Sequence, residues 1–158
     1  SLVFELPLKD KSQVFMRIDC GCIDHQKYIL MLDLQKICES AEFKNLLDDI
    51  SFFDNPESAP HYLRNKIENC LNGFSKGINN PVPLAVISYY VDEIRFINGI
   101  TRMSYLTAFG DSSIPIQCDK DSVESLFNLF GDKNYEPHSL EEYRIEYENK
   151  SKSKRSTQ

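Results

Sequence analysis

Between Phe96 and Pro115 the chain reads FINGITRMSYLTAFGDSSIP, and the backbone must change its habit repeatedly within it. A β-type run ends at Asn98-Gly99, a pair suited to a tight reversal. From Ile100 to Phe109 the pattern is helical and stops at Gly110. A short β-run, Ser113 to Gln117, follows, and its Pro115 predicts an edge strand. Strand, turn, helix and strand in such close succession call for a mixed sheet with helices against it, an α+β or α/β domain. The same segment places Arg102 in the first turn of its helix. Backbone N–H groups at a helix start have no partner within the helix, and the helix dipole favours an anion there. Gly99 removes a side chain that would block close approach, Thr101 adds a hydroxyl donor, and Arg102 offers a planar fork for two phosphate oxygens. Asn98, Gly99, Thr101 and Arg102 therefore form a candidate phosphate or nucleotide site. The plainer alternative is a glycine turn with a surface arginine paired to Asp92, Glu93 or Asp111.

The flanking sequence supplies the rest of the domain. Val14–Cys20 alternates like a strand, and Tyr28–Leu32 is apolar enough for a buried one. Asp33 caps a helix expected to run to about Asp48, with Leu34, Ile37, Cys38, Ala41 and Leu46 inward. Ser51–Ala59 reads as a loop. Pro60 then opens a helix whose Leu63, Ile67, Cys70, Leu71 and Phe74 share one face, with Gly77 past its end. Leu84–Val91 and Glu93–Ile97 read as two strands joined by a tight bend. Asp119 caps a last core helix through Val123, Leu126, Phe127 and Phe130, stopped by Gly131. Ser139 with Glu142 fits a capping box for a further helix. The expected organisation is one domain over residues 1–149 and a disordered basic tail, KSKSKRSTQ, over residues 150–158.

Charge bears on partners. Eighteen Lys and Arg stand against 24 Asp and Glu, a net −6, and removing the tail's Lys150, Lys152, Lys154 and Arg155 leaves 14 against 24, or −10. A body that acidic is a poor general nucleic-acid binder, because phosphate binding needs clustered positive charge. Any nucleic-acid contact is therefore local, and a basic protein partner is the easier match. No apolar run approaches the roughly 20 residues of a membrane helix. No secretory signal is visible at the start. The first residue, Ser1, suggests an excerpt or a processed chain.

Five cysteines at irregular spacing predict reduced thiols in a cytoplasmic protein. Cys20-Gly21-Cys22 with Asp24 and His25 lacks the second ligand pair of a zinc site, so no metal site is expected. Cys38, Cys70 and Cys118 read as core. His25, His61 and His138 are scattered and none is assigned as a general base. Phe52, Phe53, Tyr89, Tyr90 and Tyr105 are candidates for an exposed aromatic patch, with burial the commoner fate. The Asn79-Asn80-Pro81-Val82-Pro83 turn is rigid and polar, so Asn79 and Asn80 are candidate pocket residues. Asp92 and Glu93, near the phosphate turn in sequence, are candidates to hold Mg²⁺ through water.

Gly99, Arg102, Gly110 and Ile114-Pro115-Ile116 together resemble the signature of the ParB/sulfiredoxin superfamily: a strand, Gly-x-x-Arg opening a helix, a glycine, and a short strand around a proline. The closer resemblance is to plasmid fertility inhibition factors. It is carried by Asn80–Ala85, by Phe96–Arg102 in its Gly-x-Thr-Arg form, and by Ile114–Cys118, in that order. The resemblance implies a single ParB/sulfiredoxin-like domain whose Gly-x-x-Arg turn holds a nucleotide phosphate, with Mg²⁺ a possible companion. It implies suppression of conjugative DNA transfer through a partner such as the coupling ATPase of a type IV secretion channel. The turn departs from sulfiredoxins, because Ile100 and Thr101 stand where their nucleophilic cysteine would be, which argues against sulfinic acid reduction. It also lacks the acidic or second basic residue of ParB turns, which favours binding over hydrolysis. A nucleotide hydrolase or nuclease on the same fold, including a toxin domain, and a non-catalytic protein-binding module remain the alternatives.

Overall fold

A computed structural model of the chain describes residues 2–18 and 26–143. The Cys20-Gly21-Cys22, Asp24 and His25 group and the basic tail lie outside the described residues. Two mixed sheets organise the rest. The smaller takes β1 (Leu2–Pro7), β2 (Gln13–Ile18) and β4 (Val82–Pro83) in the order β1-β2-β4, with β1 antiparallel and β4 parallel to β2. The larger takes β3 (Lys27–Asp33), β5 (Val86–Tyr90), β6 (Glu93–Asn98), β7 (Ser113–Asp119) and β8 (His138–Ser139) in the order β6-β5-β7-β3-β8. Its β5–β7 pair is parallel and its other pairs are antiparallel. The mixed sheet flanked by helices is thus present, joined by a second small sheet built from the N-terminal hairpin.

The helices are α1 (Leu34–Glu39), α2 (Ala41–Leu46), α3 (Ser51–Asp54), α4 (His61–Ser75), α5 (Ile100–Phe109) and α6 (Lys120–Phe130), with 3-10 turns at Pro56–Ser58 and Gly77–Asn79. Capping explains several boundaries. Asp33 accepts from the Gln35 N–H at 2.9 Å, Asp119 from the Ser122 N–H at 2.8 Å, and Ser139 from the Glu142 N–H at 3.2 Å.

The helix expected to run from Asp33 to Asp48 is in fact two. Ser40 adopts an extended backbone, ends α1 and caps α2 by accepting from the Phe43 N–H at 3.2 Å. That break turns the inward stripe. Leu34, Ile37 and Phe43 are buried, whereas Cys38 and Ala41 are exposed. The expected loop at residues 51–59 holds α3 and a 3-10 turn.

Pro115 does not mark an edge, since β7 lies between β5 and β3. The Gln117 N–H donates to the Ala85 carbonyl at 2.9 Å, and the β5–β7 pairing is confined to Val86 opposite Gln117. The Pro115 nitrogen points to that same side two residues earlier, beyond the pairing, where no donor is needed. The edges are β6 and β8, and β6 is the longer. On β6 the Ile94 N–H donates to a Glu42 carboxylate oxygen at 2.8 Å, which blunts the open strand.

Two aromatic groups hold the helices in place. Phe43, fully buried, meets Phe130 edge-on at 4.8 Å and Phe96 at 6.2 Å, tying α2 to α6 and β6. Tyr105 of α5 stacks on Phe74 of α4 at 4.7 Å and meets Phe53 edge-on at 5.6 Å. Phe53 and Tyr105 therefore belong to the interior, while Tyr90 is exposed beside the β5–β6 turn, and no common aromatic patch forms. Among the described residues no helix is long and apolar enough to cross a membrane.

Among Cys38, Cys70 and Cys118, only Cys38 is exposed. Burial pushes the Cys70 and Cys118 thiols from the ordinary 9.0 up to about 12. Iodoacetamide at pH 8 followed by peptide mapping is expected to label Cys38 rapidly and the other two only after unfolding. The sign of the pH dependence follows. Between pH 9 and 12 the unfolded chain releases thiol protons that the folded chain keeps. Stability therefore falls as pH rises through that window, which alkaline melting curves would show.

Candidate functional site

The turn between β6 and α5 is built around Gly99. Its φ of 95° lies in the left-handed region, and a Cβ there would come within 2.6 Å of the Ala85 Cβ and 2.8 Å of the Ala85 Cα. The glycine is thus required first by Ala85, in the link between β4 and β5. The Met103 N–H donates to the Gly99 carbonyl at 2.9 Å, closing the first turn of α5, and among the described residues no side chain caps the helix start.

Arg102 folds back over this turn. Its Nη2 donates to Asn98 Oδ1 at 3.1 Å, and not to Asp92, Glu93 or Asp111. Its Nε is buried and has no hydrogen-bond partner among the described residues. Burial lowers the guanidinium pKa from its ordinary value, Cys70 opposes that shift, and the positive charge of Arg17 adds to it. A half-buried cation with an unmet donor beside a like charge is the electrostatic situation that an anion relieves.

Thr101 is otherwise engaged. Its hydroxyl donates to Asp48 Oδ2 at 3.2 Å, so it does not supply the outward donor expected from sequence. The Asp48 N–H donates to Ser104 Oγ at 2.8 Å, and that hydroxyl donates to the Ile100 carbonyl at 2.8 Å. Asp48 thus docks its loop on the first turn of α5.

A cleft of about 640 Å³ opens in front of this turn. Asn98, Gly99, Thr101 and Arg102 form one wall, and Asn80 with Pro81, Val82 and Pro83 forms another. The third wall is α4 with its C-cap, which present Lys66, Asn69, Cys70, Gly73 and Lys76, and Arg17 of β2 completes the lining. Cys70 lies against the turn, its Sγ 3.8 Å from the Thr101 carbonyl oxygen. The described lining residues include Arg17, Lys66, Lys76 and Arg102 but no Asp or Glu.

The structure thus brings Asn80 to the candidate turn but leaves Asn79 outside the lining. Asp92 and Glu93 are also outside. Asp92 sits in the β5–β6 turn and Glu93 starts β6, roughly 17 Å along the strand from Asn98 at about 3.4 Å per residue. Glu93 pairs with Arg95 at 3.6 Å. Neither carboxylate can reach a metal held at the Arg102 turn. Among the described residues no cluster of His, Cys, Asp and Glu is arranged for a metal ion. His61 opens α4 and is exposed, and His138 pairs with Glu142 at 2.8 Å, both away from the cleft.

Sequence reasoning missed Arg17, Lys66, Lys76 and Asp48. The available signal was the helical spacing of Lys66, Asn69, Cys70, Gly73 and Lys76, which lie along one side of α4.

A model of the plasmid fertility inhibition factor family matches residues 29–131, from β3 through the end of α6. The chain belongs to this family. Within this fertility inhibition factor, the match takes in the α4 wall, the Asn80 turn and the Arg102 turn, and it leaves Arg17 outside. A crystal structure of an oncogenic suppression activity protein, a plasmid fertility inhibition factor studied as a gold(I) cyanide derivative, has a similar fold. The TM-score is 0.70 at 20% sequence identity, over 93% of this chain and 77% of that one. Among curated proteins no sequence match is found.

Proposed function

We propose that the protein suppresses conjugative or related type IV DNA transfer, acting in the cytoplasm on a component of the transfer machinery such as the coupling ATPase. In this reading a phosphate-bearing ligand, a nucleotide in the first instance, occupies the cleft at Gly99–Arg102. The observation that carries it is the lining itself. A chain with net charge −6 gathers Arg17, Lys66, Lys76 and Arg102 around one cavity with no described acid among them. The N–H groups in the first turn of α5, which have no partner within the helix, and the Arg102 fork would take the phosphate oxygens. Asn98 steadies the guanidinium, and Asp48 steadies the turn through Thr101 and Ser104.

Binding is favoured over hydrolysis because no described His, Asp or Glu lines the cleft to act as a general base. The Cys70 thiol, pushed up to about 12, is no nucleophile at neutral pH. Calorimetric titration of ATP, CTP and GTP, with and without Mg²⁺, tests the ligand class. Saturable heat that weakens as salt is raised is expected. No binding by the folded protein would overturn the phosphate reading.

A further inference from the structure

We propose that Lys66 of α4 and Lys76 at its C-cap form a second anion subsite across the cleft from Arg102, so that the site selects a chain of phosphates over a single one. The proposal rests on reading the cleft as a phosphate site and assigns its opposite wall. Both lysines line the same cavity as the α5 turn. At about 640 Å³ that cavity falls within the roughly 300–1,000 Å³ of small-molecule sites and leaves a lone phosphate largely uncontacted. Ten residues of helix separate the two lysines, about 15 Å at 1.5 Å per residue, so their charges spread along the wall.

The surroundings give Lys66 no other task. Neither lysine has an ion-pair partner among the described residues. Glu68 is the acid of α4, and it stands two residues from Lys66, off its face. Lys76, at the C-terminal end of α4, complements the negative end of the helix dipole, but Lys66 lies well inside the helix and gains nothing there. Like charges gathered around one cavity repel each other, and a multiply charged anion relieves all of them at once.

The test uses inorganic phosphate, pyrophosphate and tripolyphosphate, titrated at matched low ionic strength into the wild type and into the double variant Lys66→Ala/Lys76→Ala. Both lysines are exposed, so their truncation leaves the core intact. For the wild type, affinity is expected to climb at least about tenfold from phosphate to tripolyphosphate. In the double variant the climb from phosphate to tripolyphosphate should flatten. A flat series in the wild type, or an equally steep one in the double variant, overturns the subsite and leaves the phosphate reading standing. Failure of the wild type to bind any of the three overturns both.

Discussion

Gly99→Ala is expected to lose about 2–4 kcal/mol of stability, from a left-handed backbone that alanine tolerates poorly and from an overpacked contact. For a domain of this size that corresponds to a fall in Tm of about 5–15 °C. The new Cβ would sit 2.6 Å from the Ala85 Cβ and 2.8 Å from its Cα, and Ala85 is buried. The third contact, Arg102 Nη2 at 2.8 Å, is the end of a flexible side chain and can move. Gly77 provides the control. Its φ of 69° is also left-handed, but a Cβ there meets nothing within 4 Å. Gly77→Ala should therefore cost only about 1 kcal/mol. Thermal melts of the two variants separate backbone strain from the Ala85 contact, and equal losses would show that the contact contributes nothing.

Arg102→Ala is expected to reduce affinity for a phosphate-bearing ligand about 10- to 100-fold, the loss of a charge-assisted contact of about 1.5–3 kcal/mol. Its effect on folding should be small. The variant loses one hydrogen bond to an exposed Asn98, and it also removes the buried Nε that has no partner among the described residues. The Tm should consequently move little, which distinguishes this variant from Gly99→Ala. Arg102→Lys should fall between the two, because an ammonium keeps the charge but not the planar fork. Titration beside a melting curve reads both effects, and unchanged affinity in a folded Arg102→Ala protein would remove the arginine from the site.

The elements whose local signals agree were legible in the sequence. Leu63, Ile67, Cys70 and Phe74 mark α4, Asp119 and Gly131 bracket α6, and Asn98-Gly99 sets the start of α5. The misreadings share a cause, which is that tertiary contacts decide between local readings of equal merit. Ser40 is compatible with a helix interior or with a cap, and the packing of Phe43 against Phe130 and Phe96 goes with the cap. Pro115 signals an edge unless the neighbouring strand stops short, as β5 does. A threonine in a first helical turn can face a ligand or a neighbouring loop, and only the position of Asp48 distinguishes them. Asp92 and Glu93 are near Asn98 in sequence, but an extended strand carries them away from it. Lys66 and Lys76 resemble any solvated helix face until Phe74 and Tyr105 stack and bring α4 against the α5 turn. The Arg102 side of the cleft was thus readable beforehand, and the lysine side was not.

The most direct test of the account is transfer frequency from donor cells that carry a conjugative plasmid and produce either the wild-type protein or Arg102→Ala at equal level. The account expects the wild type to depress transfer and the folded Arg102→Ala protein to restore it towards that of donors without the protein. Suppression by Arg102→Ala as strong as that by the wild type would contradict it, and would place the inhibitory surface outside the cationic cleft.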